Sequence, residues 1–169
     1  RVLFRSEDQS RGPNQWHGVG GPFKVSDLPD KHELCDAFIA SAQASGVPRN
    51  DDFNGASQEG TGYYQANLRD GRRISTAVGY LRPAEKRSNL RVETEALATR
   101  VLFEGTRATG VEYRQNGSTH RAMAREVILA GGAFNSPQLL QLSGVGRSQD
   151  LQALGIPIVL DAPEVGENL

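Results

Sequence analysis

The sequence has 169 residues, a formal net charge of −1 and a single cysteine. The near-neutral charge gives no electrostatic basis for binding nucleic acid or an acidic membrane, and no apolar run reaches the roughly 18 residues of a membrane span. One cysteine excludes an internal disulfide and a cysteine zinc cluster. With 37% hydrophobic residues and a mean hydropathy of −0.48, the chain is lean for a compact fold, and we expect a piece of a larger protein.

The first part of the chain combines loops with one helix. Residues 2–4 are apolar and precede a polar run, and we interpret them as the end of a helix whose beginning is missing. Paired glycines and prolines predict loops over residues 10–30. Apolar residues at helical spacing predict a helix from about residue 31 to 45, ended by Gly46. Within this helix, Cys35 is predicted to be a small core residue.

The middle of the chain mixes a polar loop with short regular elements. The glycine-bearing segment 51–62 is predicted to be a solvated connection, and a lid or substrate-access loop is the alternative. A short strand is predicted over residues 63–67, followed by a turn at residues 70–71. A helix over residues 75–81 is predicted to begin with a serine cap and to end near Pro83.

The following segment changes in character towards strands. Alternating apolar and polar residues predict strands over residues 98–103, 110–113 and 120–129. Asn116-Gly117, between the second and the third of these, is a strong hairpin-turn signal. We therefore predict a small antiparallel set of strands whose last member leads into a pair of glycines.

A strand, two glycines and a helix start follow one another in the segment Glu126 to Gly146, EVILAGGAFNSPQLLQLSGVG. The glycines are residues 131–132, and the helix is predicted to start at about Ser136 with Pro137 in its first turn. Free N–H groups of that turn can bind an anion. This order is a common backbone platform for a phosphorylated cofactor, and structural turns of the same kind are also common. A further short helix, capped by Ser148, is predicted to follow.

Acid–base chemistry requires a histidine or a perturbed carboxylate in a pocket. The three histidines are His17, His32 and His120, and none has partners at a recognisable spacing. Each is predicted to be a surface or capping residue. The sequence also has no Ser-His-Asp order, no metal cluster and no GxxxxGK[ST] phosphate loop. We therefore assign no catalytic residue and no metal ligand to the chain.

The segment from Gly132 to Gly146 resembles the second signature of the glucose–methanol–choline (GMC) oxidoreductases. Its constrained positions match: a glycine and a small residue, Ser-Pro, two aliphatic residues, and Ser-Gly-aliphatic-Gly. Other matching stretches are spread over almost the whole chain, at residues 4–8, 17–22, 51–55, 59–65, 71–77, 80–84, 89–90, 110–113 and 165–169. The overall character is similar to that of the choline dehydrogenase-like alcohol dehydrogenases of the family.

The resemblance implies a flavoprotein and a division of the fold. Members of the family bind FAD and oxidise an alcohol by hydride transfer to the flavin. The implied fold is an α+β fragment that combines part of a Rossmann-like FAD-binding domain with part of an antiparallel-sheet substrate domain. Residues 1–88 are expected to border the substrate domain, 89–146 to belong to the FAD-binding domain, and 147–169 to begin the return to the substrate domain.

The resemblance also implies site residues. Ala130, Gly131 and Gly132 match the stretch that runs beside FAD in the family. Ala98 falls where the family often has a valine whose main chain contacts the adenine. Residues 51–64 are expected to border the substrate entrance. The family's GxGxxG unit and its catalytic histidine segment are absent from the sequence, so we interpret the chain as an internal fragment and carry over no catalytic residue.

The expected function is that of an FAD-dependent dehydrogenase that oxidises a choline-like primary alcohol. The isolated fragment is expected to be inactive and not to retain FAD, because the diphosphate-binding strand and the catalytic base are missing. A GMC-fold hydroxynitrile lyase and a non-catalytic binding domain are the alternatives. The expected partners are a small alcohol and the remainder of the same polypeptide, without nucleic acid or a transmembrane segment. The expected location is cytoplasmic, with membrane association left open.

Overall fold

Residues 6–168 are described in a computed structural model, in which the chain divides into two units, Arg1–Val92 and Glu93–Leu169. The predicted helix end at residues 2–4 lies outside the described residues. Helices and sheets are both present, which confirms a mixed α and β composition. The assignment of three segments to domains of the whole protein stays a prediction.

The first unit is built from short strands, one regular helix and a two-part helical turn. In chain order its elements are β1 (Glu7–Gln9), β2 (Phe23–Val25), α1 (Glu33–Ala44), β3 (Leu68–Arg69), β4 (Arg72–Arg73), a π-helix (Ala77–Leu81) and α2 (Arg82–Ala84). β1 and β2 pair in parallel, and β3 and β4 form an antiparallel hairpin. Because these strands are only two or three residues long, loops carry most of the chain in this unit.

Local signals define both ends of α1. At its start, the ring of His32 accepts a hydrogen bond from the Leu34 N–H at 3.2 Å, which confirms a capping role for this histidine. At its end, Gly46 adopts a φ of +92°. The Gly46 N–H donates to Gln43 O, and the Val47 N–H donates to Ala42 O, which is the Schellman arrangement. The predicted helix is therefore confirmed. It begins two residues later and ends one residue earlier than predicted.

The apolar face of α1 is less covered than the prediction required. Leu34 and Phe38 are 70% and 71% exposed, and only Ile39 is buried in this helix. Cys35 is exposed as well, so its prediction as a core residue is wrong. Helical spacing identifies which residues share a face, but it does not tell what packs against that face.

The prediction of a strand over residues 63–67 is wrong, and the turn after it is confirmed. Ala66 makes one isolated bridge to Ser26 and is not part of a strand. Asp70 and Gly71 both have positive φ, at +52° and +71°. A two-residue loop of this kind places its strands directly on either side, which is where β3 and β4 lie.

The helix predicted over residues 75–81 is present but continues further. The Ser75 hydroxyl accepts a hydrogen bond from the Val78 N–H at 3.3 Å, as expected of a cap. The π-helix then runs directly into α2, which contains Pro83. The proline does not end the helical path, because it lies in the first turn of α2, where its missing N–H is tolerated.

The second unit contains the antiparallel sheet and two further helices. Its elements are β5 (Leu97–Glu104), β6 (Arg107–Gln115), β7 (Ser118–Met123), α3 (Gly132–Leu142), β8 (Val145–Gly146), α4 (Ser148–Ala153) and β9 (Leu160–Asp161). The sheet order is β5-β6-β7, and β8 pairs in parallel with β9. Asn116 and Gly117 form the β6–β7 turn at φ +50° and +78°, which confirms the predicted hairpin. Val101, Val145 and Leu151 are the buried large apolar residues among those described here.

The last sheet strand ends earlier than predicted. It was expected to reach Leu129, but β7 ends at Met123, opposite Gly110 of β6. The Ala124 N–H still donates to Thr109 O, and residues 125–130 have no regular secondary structure. β6 itself continues to Arg107, so the pairing of β7 ends before its partner strand does.

Candidate functional site

Three of the four predicted cofactor residues line one cavity of the second unit. Ala98 lies near the start of β5, and Ala130 and Gly131 end the irregular segment before α3. Gly132 follows directly as the first residue of α3. The cavity has a volume of about 490 Å3 and is lined by Ala96, Leu97, Ala98, Val111, Val127, Ile128, Leu129, Ala130, Gly131, Asn135, Ser136, Gln138, Leu139 and Leu142.

The two glycines are required for different geometric reasons. Gly132 has a φ of +88°, a left-handed conformation that a residue with a Cβ adopts only with strain. Gly131 has an ordinary φ of −79°, but a Cβ there would lie 3.0 Å from Asn135 Cβ and 3.4 Å from Ser136 N. The chain therefore turns at Gly132 and passes close to the first turn of α3 at Gly131.

The helix after the glycine pair begins earlier than predicted. α3 starts at Gly132 with Gly131 as its N-cap, so the N–H groups without a helical partner belong to residues 132–134 rather than to a turn that begins at Ser136. Pro137 lies inside the helix, where it removes one main-chain hydrogen bond. The Ser136 hydroxyl accepts a hydrogen bond from the Gly131 N–H at 2.9 Å. This contact holds the main chain of Gly131 against the first turns of α3.

The chemistry of the cavity lining is apolar with a polar end. No lining residue carries an ionisable side chain, and the polar side chains are those of Asn135, Ser136 and Gln138. Such a surface can hold a flat apolar or aromatic group and can offer it a few hydrogen bonds. It supplies neither a proton-transfer group nor a cation for a phosphate.

A second polar arrangement, in the first unit, surrounds His17. This residue is 6% exposed, so its prediction as a surface or capping residue is wrong. Its Nδ1 lies 2.9 Å from Glu7 Oε1, and its Nε2 lies 3.0 Å from Asp52 Oδ2. Asp52 is 35 positions away in the sequence. Sequence spacing could not reveal this cluster, because its members meet only through the folding of two loops.

The electrostatics of this cluster oppose the effect of burial. Burial lowers the pKa of His17, while hydrogen bonds to Glu7 and Asp52 and the charges of these carboxylates raise it. Burial is the largest single effect, but the raising effects together exceed it, so the pKa of His17 lies above the ordinary value. The two carboxylates thus favour the charged form of the imidazole.

The other two histidines are exposed, as predicted. His32 caps α1, and the ring of His120 stacks on Tyr113 with 5.3 Å between ring centroids. Across residues 6–168, no group of three or more His, Cys, Asp or Glu side chains is arranged to share a metal ion. None of the helices in the same residues has the length and apolar character needed to cross a bilayer.

Comparison with known proteins gives consistent matches along the chain. A family model described as GMC oxidoreductase matches residues 5–169. The mitochondrial choline dehydrogenase of Homo sapiens is 49% identical over 166 residues, which cover 98% of this chain and 28% of that protein. The chain thus spans about 28% of the length of these curated relatives.

Solved structures give matches of the same kind. Pyridoxine 4-oxidase from Mesorbium loti is similar with a TM-score of 0.89 and 31% sequence identity, covering 96% of this chain and 33% of that chain. An FAD-dependent oxidoreductase from Chaetomium thermophilum is similar with a TM-score of 0.83 and 26% identity, covering 95% of this chain and 31% of that chain.

Proposed function

The chain belongs to the GMC oxidoreductase family, as its signature predicted, and from this membership we propose that it is part of an FAD-dependent dehydrogenase acting on a primary alcohol. The observation that carries the proposal is the 49% identity to a choline dehydrogenase over 98% of this chain. A choline-like alcohol is therefore the proposed substrate class, and a cytoplasmic location of the whole protein is part of the proposal. FAD, when bound, supplies the acceptor for the hydride of the alcohol.

We propose that Ala98, Ala130, Gly131 and Gly132 form a wall beside the FAD. Support comes from the cavity that the first three of them line together. Their side chains are a methyl group or a hydrogen, so a planar ring can approach the main chain closely. The neighbouring apolar side chains, Leu97 and Ile128, are 68% and 82% exposed and offer further surface to such a ring.

The same lining limits what the chain contributes to the reaction. Removal of the hydroxyl proton needs a base, and none of the lining residues can act as one. The FAD diphosphate needs cations or a set of N–H donors, and the lining holds no Lys or Arg. We therefore propose that these residues position an aromatic part of the cofactor and that the isolated 169-residue chain is inactive and does not retain FAD.

The first experiment tests cofactor retention by the 169-residue chain. The chain is purified with excess FAD, passed through a desalting column and examined by visible absorbance. The expected result is a spectrum without bound flavin. Stoichiometric yellow chromophore in the protein fraction would refute the proposal that the chain alone does not hold FAD.

The second experiment tests the wall in the full-length protein. Ala98→Leu extends a side chain into the cavity and is expected to lower the FAD content per protein. Ala122→Leu, at an exposed position of β7 that does not line the cavity, is the matched control and is expected to keep it. Equal FAD content in both variants would contradict the proposal that Ala98 lies beside the FAD.

The third experiment tests the reaction with the full-length protein. Choline and other primary alcohols are expected to bleach the oxidised flavin band under anaerobic conditions. Cyanohydrin cleavage without flavin reduction would instead indicate a hydroxynitrile lyase. A protein that binds neither FAD nor alcohol would indicate a non-catalytic binding domain.

A further inference from the structure

Three chain segments of the first unit meet at the ring of His17. Glu7 belongs to β1, His17 closes a turn that begins at Asn14, and Asp52 belongs to the polar loop of residues 51–62. Glu7 places its two oxygens 2.9 and 3.1 Å from Nδ1, and Asp52 places its two 3.1 and 3.0 Å from Nε2. Each ring nitrogen thus faces one carboxylate, and Nδ1 also lies 3.5 Å from Gln9 Nε2.

This geometry defines the protonation state of the ring. A carboxylate only accepts hydrogen bonds, and a neutral imidazole carries one N–H and one bare nitrogen. A neutral His17 could therefore donate to Glu7 or to Asp52, and its other nitrogen would face a carboxylate lone pair. Only the imidazolium donates to both carboxylates at once.

The side chain of Asp52 is at the same time part of the internal structure of its loop. Its Oδ1 accepts a hydrogen bond from the Asn54 N–H at 3.2 Å, and a Cβ at Gly55 would lie 2.6 Å from its Oδ2. The Asp52 N–H in turn donates to Asn50 Oδ1 at 2.8 Å. Movement of this carboxylate therefore moves the first turn of the loop.

We propose that His17 is a positioning residue that ties the 51–62 loop to β1 while its ring is protonated and releases one of the two carboxylates when the ring loses its proton. The loop then has two states, one attached to β1 through the ring and one held without the ring, by the hydrogen bond from Arg11 to Asp51 O and by the contacts within the loop. The change between them requires the transfer of a single proton from the imidazolium to water.

The direction of the pH effect follows from the sign of the shift. The pKa of His17 is higher in the folded chain than its ordinary value of about 6.5, because the two carboxylates favour the charged ring. A group of this kind contributes its full stabilisation below the ordinary pKa and loses it as the pH rises through the raised pKa. The loop is therefore fully attached below the ordinary pKa of about 6.5 and loosens as the pH rises through the raised pKa of His17.

The groups around the ring determine which of the two carboxylates is released when the ring becomes neutral. Glu7 also accepts hydrogen bonds from the Gly18 N–H and from Gln9 Nε2, so its carboxylate stays in place when the ring is neutral. The guanidinium of Arg11 is paired with Asp27 at 2.6 Å and donates to Asp51 O, at the start of the loop, without contacting the ring. Asp52 has fewer supports than Glu7 and is also the more exposed of the two, so it is the carboxylate that is released.

The consequence for catalysis rests on the proposed function. In the family that the chain resembles, residues 51–64 are expected to border the substrate entrance. A loosened loop is expected to weaken alcohol binding at alkaline pH and to raise KM more than it lowers kcat. The loop attachment itself can be measured without FAD or alcohol.

The direct test is NMR of the histidine ring nitrogens in the 169-residue chain. At pH 7.5, a free imidazole with a pKa of about 6.5 is about 90% neutral. His17 is expected to be protonated to a larger extent than this at the same pH, with assignment by loss of the signal in His17→Gln. A protonated fraction of His17 no larger than that of a free imidazole would overturn the inference.

A pair of neighbouring carboxylates provides the matched variants. Asp52→Asn removes the charge at Nε2, whereas Asp51→Asn removes a carboxylate that is paired with Arg49 and does not contact His17. In the parent chain, hydrogen-exchange protection of the loop amides is expected to fall as the pH rises through the titration of His17. Asp52→Asn is expected to lack this step, and Asp51→Asn is expected to keep it. Equal protection profiles in the two variants would contradict the proposal that His17 ties the loop to β1.

The same two variants separate this inference from the proposed function. In the full-length protein, the alkaline fall of kcat/KM that the loop attachment causes is expected to be absent in Asp52→Asn and present in Asp51→Asn. A full-length protein whose flavin is not reduced by alcohols would refute the proposed function. A charged His17 ring and a pH step in loop protection would still support the attachment of the loop to β1 through His17.

Discussion

The hydroxyl of Ser143 joins α3 to β5 by accepting a hydrogen bond from the Val101 N–H at 2.8 Å. The same hydroxyl donates to Leu139 O, one turn earlier in the helix region. Ser143 and Val101 are both buried. The serine of the signature segment is therefore a structural connection between helix and sheet, since a buried main-chain N–H needs a partner.

We predict that Ser143→Ala destabilises the second unit. The substitution leaves the buried Val101 N–H without its acceptor, which costs about 1–3 kcal/mol. Urea unfolding followed by the amide signals of β5 measures the effect. Ser41→Ala, which removes an exposed hydroxyl bonded to Ala37 O, is the control and is expected to change stability by less than about 0.5 kcal/mol. Equal losses in both variants would contradict the role given to Ser143.

We predict that Gly144→Ala is more destabilising than Gly155→Ala. Both glycines have positive φ, at +91° and +69°, so alanine is strained at either position. At Gly144 a Cβ would also collide with Pro157 O and lie 3.0 Å from Val159 Cγ2, whereas the space around Gly155 is open. We expect a loss of about 1–2 kcal/mol at Gly155 from strain alone and about 2–4 kcal/mol at Gly144. A larger loss at Gly155 in thermal unfolding would refute the close-approach argument.

We predict that the Tyr63 hydroxyl loses its proton at a higher pH than a free phenol. Desolvation and the hydrogen bond of its hydroxyl to Asp36 at 2.9 Å raise the pKa of Tyr63 to about 12. The difference in phenolate absorbance between the parent chain and Tyr63→Phe gives its titration curve. In Asp36→Asn the midpoint is expected to fall, because the neighbouring negative charge is gone.

The raised pKa of Tyr63 also makes the stability of the folded chain depend on pH. Its stabilising effect is complete below pH 10, where folded and unfolded chains both keep the proton. It is lost as the pH rises from about 10 through about 12. A titration of Tyr63 that coincides with that of a free phenol would contradict both statements.

We predict that Asn50 holds the 51–62 loop together. Its Nδ2 donates to Ser57 O at 2.8 Å and to Glu59 O at 3.1 Å, while its own N–H donates to Thr61 O. Asn50→Asp keeps the shape but replaces two donors with an acceptor, and it is expected to cost the loop about 1–3 kcal/mol. Limited proteolysis within the loop is expected to become faster, whereas Asn89→Asp at an exposed position leaves the rate unchanged. An unchanged rate in Asn50→Asp would refute this role.

Local sequence signals predicted those features whose causes lie within a few residues. Asn116-Gly117 and Asp70-Gly71 form turns because their backbones tolerate positive φ, and Gly46 ends α1 for the same reason. The antiparallel strands around the first of these turns followed from its two-residue length. No partner from elsewhere in the chain is needed for these outcomes.

The predictions that failed depended on contacts that residue spacing does not reveal. Cys35 was placed in a core because its neighbours are apolar, but the face they share is exposed. The helix start at α3 was placed at Ser136, although its hydroxyl folds back to Gly131 and the helix begins at Gly132. The roles of Ala98, Ala130, Gly131 and Gly132 towards FAD stay predictions, although the fold brings three of them to one cavity.

The sequence by itself determined the family, the turn positions and the order of the main elements, because these depend on residue type and on spacing along the chain. Only the tertiary structure decided that His17 is buried between Glu7 and Asp52 and that Ala98 lies in one cavity with Ala130 and Gly131. Such contacts join residues about 10 to 35 positions apart or come from separate elements. They depend on how loops and strands pack in three dimensions, and spacing in the sequence carries no record of that packing.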